Sequence, residues 1–231
     1  MPITSAQKNK ILQIVNVFET GTTVGDYAAI SLYKDGPNGA DGKPIRQITY
    51  GRSQTTEFGN LKALLQMYIN NNGAYAAAMS PYLSKIGKKP SLCTNQEFLQ
   101  LLKDAGRHDV QMQKTQDSFF DQLYYQPAYN WFSDMKFTTA LSLLVIYDSF
   151  IHSGTVPSWL RERFPEPVPK NGGNEQTWIT QYVNARHKWL ANHQRTILRG
   201  TVYRTRCFKN CITSNNWNLD KPVNANGVVI A

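Results

Sequence analysis

The sequence has few cysteines and no long apolar run. Among its 231 residues the only cysteines are Cys93, Cys207 and Cys211. So small and odd a number excludes a disulfide-rich scaffold, and we expect reduced thiols, with one disulfide as the alternative. The longest apolar stretch, residues 140–151, is interrupted by Asp148. It is shorter than the roughly 20 residues that a membrane-spanning helix needs, so it is expected to form a buried helix.

Motifs of several enzyme classes are also absent. The sequence contains no HExxH zinc motif, no GxSxG nucleophile elbow and no GxxxxGK[ST] phosphate loop. We therefore expect no metal and no cofactor. The four histidines show no metal-ligand spacing and are expected to be structural or exposed: His108, His152, His187 and His193. The N-terminal residues lack a secretory signal pattern, which leaves a mature, a cytoplasmic, an otherwise exported or an excised chain as alternatives.

Positive charge exceeds negative charge. There are 25 Lys and Arg against 16 Asp and Glu, a formal net charge of +9. Such a chain attracts polyanions such as nucleic acid, an anionic membrane or an acidic cell wall. The basic residues are scattered and no nucleic-acid-binding motif is present, so we expect no nucleic-acid partner. With 41% hydrophobic and 12% aromatic residues, the chain can bury a sizeable core.

The hydrophobic pattern predicts an α+β protein in which helices predominate. Residues 4–18 have apolar positions at helical spacing, start with a Thr4–Gln7 capping box and stop before Gly21. Two short strands, residues 29–33 and 45–50, flank the turn-rich segment DGPNGADGKP. Further helices are predicted at about residues 58–70, 95–104, 110–124, 137–152, 175–192 and 196–212.

Two carboxylic acids, Glu19 and Asp35, are candidates for acid–base chemistry. Glu19 ends the first helix four residues after Val15, on its apolar face. Loss of water there would raise its pKa and suit a general acid, the alternative being a solvated carboxylate in the last turn. Asp35 opens a glycine-rich loop after a strand, where water reaches it, the alternative being an ordinary turn residue. A buried acid facing a hydrated carboxylate is what glycoside hydrolysis requires.

Several segments, taken in order, resemble one known family. The region from Glu19 through Tyr27 to Asp35, followed by ITYG and GNLKALLQMY, resembles the catalytic region of the family 46 chitosanases, which are lysozyme-superfamily enzymes. The spacing from Tyr27 to Asp35 matches the signature of that family. Further matches cover nearly the whole chain: YYQPAYNW (124–131), IYDSFIHSG (146–154), YVNARHKWL (182–190) and WNLDKP (217–222).

The resemblance implies a two-lobed, lysozyme-like fold with a small β-sheet on one lip of a substrate cleft. We accordingly expect a single catalytic domain over residues 1–231, with a small β-containing lobe at about residues 20–60. Glu19 would be the general acid and Asp35 the general base of an inverting enzyme, their carboxyl groups about 6.5–9.5 Å apart. The resemblance also implies an acid–arginine network that holds the acid, matched by Asp148, Arg186 and Arg206. A plain buried salt-bridge cluster is the alternative.

The sequence departs from the family pattern at several positions. Thr20 follows the candidate acid where the family has an acidic or amide residue, and the loop after Asp35 is longer. The threonine or serine that positions water in the family falls near Arg46, with Thr49 as a nearby substitute. At Asn60 the family usually has an aspartate that binds the free amine of a glucosamine unit. Asparagine keeps the hydrogen bonding and loses the charge.

Charge also bears on the expected substrate. Chitosan is a polycation, which a protein of net charge +9 repels at long range. Peptidoglycan shares the β-1,4 amino-sugar backbone but is N-acetylated and carries anionic lactyl-peptide groups. We therefore favour an endo-acting, bacteriolytic muramidase on peptidoglycan that acts outside the producing cytoplasm. A longer parent chain or a delivery module is one route by which it would reach its substrate. A chitosanase acting on chitosan is the alternative, and a non-catalytic wall-binding module is the second alternative.

Overall fold

The computed structural model describes residues 2–52 and 54–231. Its helices in chain order are α1 (Ser5–Thr20), α2 (Leu61–Asn70), α3 (Ala76–Met79), α4 (Gln96–His108), α5 (Val110–Phe120), α6 (Gln126–Asp134), α7 (Ala140–Ser153), α8 (Ser158–Arg161), α9 (Glu175–Ala191), α10 (Thr196–Gly200) and α11 (Tyr203–Thr213). The strands are β1 (Ile30–Tyr33), β2 (Gln47–Tyr50), β3 (Thr55–Thr56), β4 (Val223–Ala225) and β5 (Val228–Ile230). The predicted class, α+β with helices in the majority, is confirmed.

The chain divides into two compact units. One, the helical unit, comprises Met1–Val24 and Gln122–Ala231, and the other, the sheet unit, comprises Gly25–Asp121. The sheet unit is longer than the segment of about 20–60 expected for a β-containing lobe, because helices α2 to α5 belong to it. Tyr50 of β2, for example, donates a hydrogen bond from its hydroxyl to the carbonyl of Leu102 on α4 at 2.7 Å.

Helix α1 forms as predicted. The Thr4 hydroxyl accepts a hydrogen bond from the Gln7 N–H at 3.2 Å, and the Gln7 side chain accepts one from the Thr4 N–H at 3.0 Å. The helix ends at Gly21, whose φ of 79° is in the left-handed region that glycine adopts without strain. The last turn therefore contains Glu19.

The three-stranded sheet of the sheet unit is antiparallel, with the order β1-β2-β3. Tyr33 pairs with Gln47 at one end of the β1–β2 ladder, and Ile30 pairs with Tyr50 at the other. All four residues of β2 are buried. Strand β2 starts at Gln47, later than predicted, because Ile45 bonds to the turn segment, where its carbonyl accepts from the Gly36 N–H at 3.0 Å.

Helix α7 is the centre of the helical unit. Every residue from Ala140 to Ser149 is buried, as expected for a core helix. It packs against α1, α6, α9 and α11. Burial of each large apolar side chain here contributes about 1.5–3 kcal/mol to stability. In the part of the chain that the structure describes, none of the helices has the length and apolar character needed to span a bilayer.

The C-terminal part of the helical unit differs from the prediction in two places. The helix expected at 196–212 is two helices, α10 and α11, because Gly200 is followed by the β-branched Thr201 and Val202, which favour helices less. The irregular end is a β4–β5 hairpin. Asn226 and Gly227 both have positive φ, and this Asn-Gly pair was an available hairpin signal. All three cysteines are free and buried in the structure.

Candidate active site

Glu19 lies in the last turn of α1, in the helical unit. Its side chain is 13% exposed, and its Oε1 accepts a hydrogen bond from Nη2 of Arg204 on α11 at 2.5 Å. The Arg204 guanidinium also lies 5.4 Å from the ring centroid of Phe18 and 5.8 Å from that of Tyr203. The sequence predicted an apolar surrounding for the Glu19 carboxyl group. The structure adds an ion pair that fixes its orientation.

A buried acid–arginine network lies behind Glu19. Nη1 of Arg204 donates to one oxygen of Asp148 at 2.6 Å, and Nη1 of Arg186 pairs with the other at 2.7 Å. Burial alone would raise the pKa of Asp148, but the guanidinium groups of Arg186 and Arg204 outweigh it and hold that pKa below its ordinary value. Arg204 thus bridges Asp148 and Glu19, and Arg186 holds Asp148 from the other side.

The arginine on α11 that joins this network is Arg204, and the prediction of Arg206 is wrong. Arg206 is exposed, because residues two apart on a helix do not share a face. The correct choice had a signal in the sequence. Arg204 lies three and seven residues before Cys207 and Cys211, in the buried stripe of α11. The helical phase therefore points Arg204, and not Arg206, toward the core.

His152 adds a titratable group to the same network. It lies one helical turn after Asp148 on α7 and is half-buried. Burial first, and then the charges of Arg186 and Arg204, lower the pKa of His152 to about 4. The imidazole is therefore neutral at neutral pH. Its Nδ1 is buried and has no hydrogen-bond partner among the described residues.

Asp35 lies just after β1, in the sheet unit, and is exposed to solvent. One of its oxygens accepts a hydrogen bond from Nε2 of Gln47 at 3.0 Å. The other end of the Gln47 amide accepts from the Phe58 N–H at 3.2 Å, and Gln47 is only 5% exposed. Because both ends of this amide are bonded, its NH₂ group is fixed toward Asp35. Gln47 was missed from the sequence, although the predicted hairpin places β2 beside the end of β1.

The other predicted site residues of the sheet unit differ in their surroundings. Arg46 is exposed and precedes β2. Thr49 lies two residues after Gln47, hence on the same face of the strand, and is 5% exposed. Its hydroxyl has no hydrogen-bond partner among the described residues, and such buried groups are commonly satisfied by a bound water. Asn60 is exposed at the start of α2, and its side chain makes no capping hydrogen bond.

A further acid of the sheet unit, Glu57, is buried and fully bonded. Glu57 is 1% exposed, and its oxygens accept hydrogen bonds from the Leu92 N–H at 2.8 Å and the Ser91 hydroxyl at 2.5 Å. It therefore joins the sheet to the turn at Leu92–Thr94 and is closed to solvent.

Within residues 2–52 and 54–231, no group of three or more His, Cys, Asp or Glu side chains is arranged to hold a metal ion.

The chain is similar to known enzymes over almost its whole length. The family model of glycosyl hydrolase family 46 matches residues 13–223. A chitosanase of Bacillus subtilis (strain 168) is 28% identical over 235 residues, which cover 94% of this chain and 80% of that protein. The fold is similar to that of a mutant chitosanase from Bacillus subtilis MY002 complexed with 6 GlcN, with a TM-score of 0.82, 24% identity and full coverage of both chains. It is also similar to that of the family 46 chitosanase of Gynuella sunshinyii in complex with chitotetraose, with a TM-score of 0.78, 19% identity and coverage of 99% of this chain and 98% of that one. The chain therefore belongs to glycosyl hydrolase family 46 and is a glycoside hydrolase.

Proposed function

We propose that this glycoside hydrolase cleaves β-1,4 bonds within chitosan by an inverting mechanism that uses two carboxyl groups. The observation that carries the proposal is that a member of this family contains both a nearly buried, arginine-held Glu19 and a hydrated Asp35. The muramidase prediction, with its peptidoglycan substrate and bacteriolytic role, is not supported, because the relatives named above are chitosanases.

In this proposal Glu19 is the general acid. It delivers a proton to the glycosidic oxygen as the bond to the leaving sugar breaks. The guanidinium of Arg204, 2.5 Å from Oε1, stabilises the negative charge that develops on Glu19 as the proton departs. The same contact orients the carboxyl group, since Arg204 is itself fixed by Asp148. Asp148 and Arg186 are thus positioning residues.

Asp35 is the general base of this proposal. It removes a proton from the water that attacks the anomeric carbon on the opposite face of the sugar. Gln47 binds one oxygen of Asp35 and leaves the other for this water. After each turnover Asp35 carries an extra proton and Glu19 lacks one, and exchange with solvent restores both.

We propose that Asn60 contacts a glucosamine unit of the bound chitosan chain close to the bond that is cleaved. Its exposed amide offers donors and an acceptor to amine and hydroxyl groups but no charge. Because chitosan is a polymer found outside cells, we also propose that the enzyme acts outside the producing cytoplasm.

The test compares Glu19→Gln, Asp35→Asn and a matched control, Asp41→Asn, which removes an exposed carboxylate from the same loop. We expect release of reducing ends from chitosan to fall about 10²–10⁴-fold in the first two variants, and to stay unchanged in the control. NMR of the first products should show the inverted anomer.

The residue roles, the substrate and the catalytic activity can each be contradicted separately. Wild-type rates in Glu19→Gln or Asp35→Asn would remove that residue from its role. Release from peptidoglycan with none from chitosan would restore the muramidase prediction. Release from neither polymer, with binding retained, would favour the wall-binding module.

A further inference from the structure

Two adjoining cavities open on the surface of the helical unit beside α9. One, of about 470 Å³, is lined by Arg163, Lys188, Trp189, Asn192, His193 and Gln194. The other, of about 550 Å³, is lined by Arg163, Phe164, Gln181, Asn184, Ala185 and Lys188. Because they share Arg163 and Lys188, we treat them as one surface, the α9 groove. None of its lining residues belongs to the proposed catalytic set.

One polar face of α9 lines the α9 groove along its length. Gln181, Asn184, Lys188 and Asn192 recur at intervals of three and four residues and so lie on one face of the helix. From the first to the last, this face extends about 16 Å at 1.5 Å per residue. The groove is therefore elongated, as a site for a linear polymer must be.

Aromatic side chains stand at one end of the groove. The ring of Trp189 packs edge-on against that of Trp159, with centroids 5.1 Å apart. Trp159 remains 40% exposed, and the Arg163 guanidinium lies 5.1 Å from its ring centroid. Part of the Trp159 ring surface is therefore open to solvent beside the groove. Flat aromatic rings suit the apolar C–H faces of sugars.

The charges of the α9 groove are all positive. The lining contains no carboxylate, and neither Arg163 nor Lys188 forms an ion pair within the described residues. The nearest acid along the chain is Glu162, which is exposed and does not line the groove. Side-chain amides of Gln181, Asn184 and Asn192 supply both donors and acceptors for hydroxyl groups.

We propose that the α9 groove binds an acidic polysaccharide, distinct from the cationic polymer proposed as substrate. Sugar rings stack on Trp159 and Trp189, carboxylates of uronic-acid units pair with Arg163 and Lys188, and the amides bind hydroxyl groups. Charge complementarity selects this ligand, because a glucosamine polymer would be repelled by the two unpaired cations. Such binding holds the hydrolase on acidic wall material and leaves the catalytic residues free.

The experiment titrates the intact protein with a hexamer of galacturonic acid at low ionic strength, by tryptophan fluorescence and calorimetry. We expect saturable binding of one hexamer per chain. The double variant Arg163→Gln/Lys188→Gln should bind at least tenfold more weakly. The control Arg107→Gln/Lys114→Gln removes two charges from exposed positions on α4 and α5 and should bind as the wild type does.

Four results would overturn the proposal: no binding of the hexamer, equal weakening in both double variants, undiminished binding by Trp159→Ala, or equally tight binding of cellohexaose, which has no charge. Equal weakening would show attraction by net charge alone. Circular dichroism confirms the fold of each variant. The Arg163→Gln/Lys188→Gln variant should retain its turnover of chitosan. Failure of the hexamer to bind would therefore leave the proposed catalytic function intact, and loss of the catalytic proposal would leave binding at the α9 groove intact.

Discussion

Arg204 controls the arrangement around Glu19 most directly. Its two terminal nitrogens bind two carboxylates at once, Asp148 at 2.6 Å and Glu19 at 2.5 Å. Lysine at this position keeps the positive charge but offers a single nitrogen on a flexible chain, which cannot reproduce the planar fork. We predict that Arg204→Lys releases the Glu19 carboxyl group and lowers kcat on chitosan about 10²-fold, the usual cost of a misplacement near 1 Å.

The effect on stability can be estimated from the same contacts. Removing one partner of a buried ion pair costs about 3–5 kcal/mol. In Arg204→Met, Asp148 keeps Arg186 as a partner, and Glu19, already 13% exposed, gains water. The loss should therefore be near the lower limit, about 3 kcal/mol. For a protein of this size it lowers Tm by about 6–12 °C.

The assay measures kcat from reducing ends and Tm by calorimetry, with Arg206 as the matched control position. Arg206 is two residues further along α11 and exposed, so Arg206→Lys and Arg206→Met should change stability by less than about 0.5 kcal/mol and leave kcat unchanged. Two results would refute the reasoning: a Tm of Arg204→Met equal to that of the wild type, or equal losses at positions 204 and 206.

Three further predictions concern single side chains. The pKa of His152, about 4 in the folded state, lies below its ordinary value. The unfolded chain therefore binds more protons, and between pH 6.5 and 4 the wild-type protein should lose up to about 3 kcal/mol more stability than His152→Gln in denaturant titrations, an equal loss in both proteins being the contrary result. Gln47→Leu should lower kcat about tenfold, as expected for a lost hydrogen bond to a charged group, and unchanged turnover would exclude a positioning role. Asn60→Asp should raise kcat/KM on chitosan relative to its N-acetylated form, and an unchanged ratio would place Asn60 away from the amine.

Local features of the fold were predictable because their determinants lie within a few residues. The Thr4–Gln7 capping box and Gly21 specify both ends of α1 without help from the rest of the chain. The buried character of α7 follows from its apolar composition. The split between α10 and α11 was missed because apolar periodicity continues across it, and only the weak helix preference of three consecutive residues interrupts it.

The partners of the site residues were harder to predict because they are distant in sequence. Arg204 is 185 residues from Glu19, and Asp148 is 56 residues from Arg204. Matching segments by order alone does not determine which arginine of a helix faces the core. Gln47, only 12 residues from Asp35, was within reach of a prediction, but its role depends on the register of the hairpin, which the pattern did not specify.

Net charge is a weak criterion for the choice between chitosan and peptidoglycan because it acts mainly on the encounter of two molecules, whereas nearby groups determine the bound state. Beyond about 8 Å, physiological salt screens the +9 charge, so a polycation can still bind to local carboxylates such as Asp35. The two proposed ligands should therefore respond to salt in opposite directions. In stopped-flow fluorescence with the Glu19→Gln variant, added salt should speed the association of a glucosamine hexamer by reducing long-range repulsion. It should slow that of a galacturonate hexamer. A glucosamine association rate that falls with salt would show that local acidic groups, and not the net charge, govern the approach of the substrate as well.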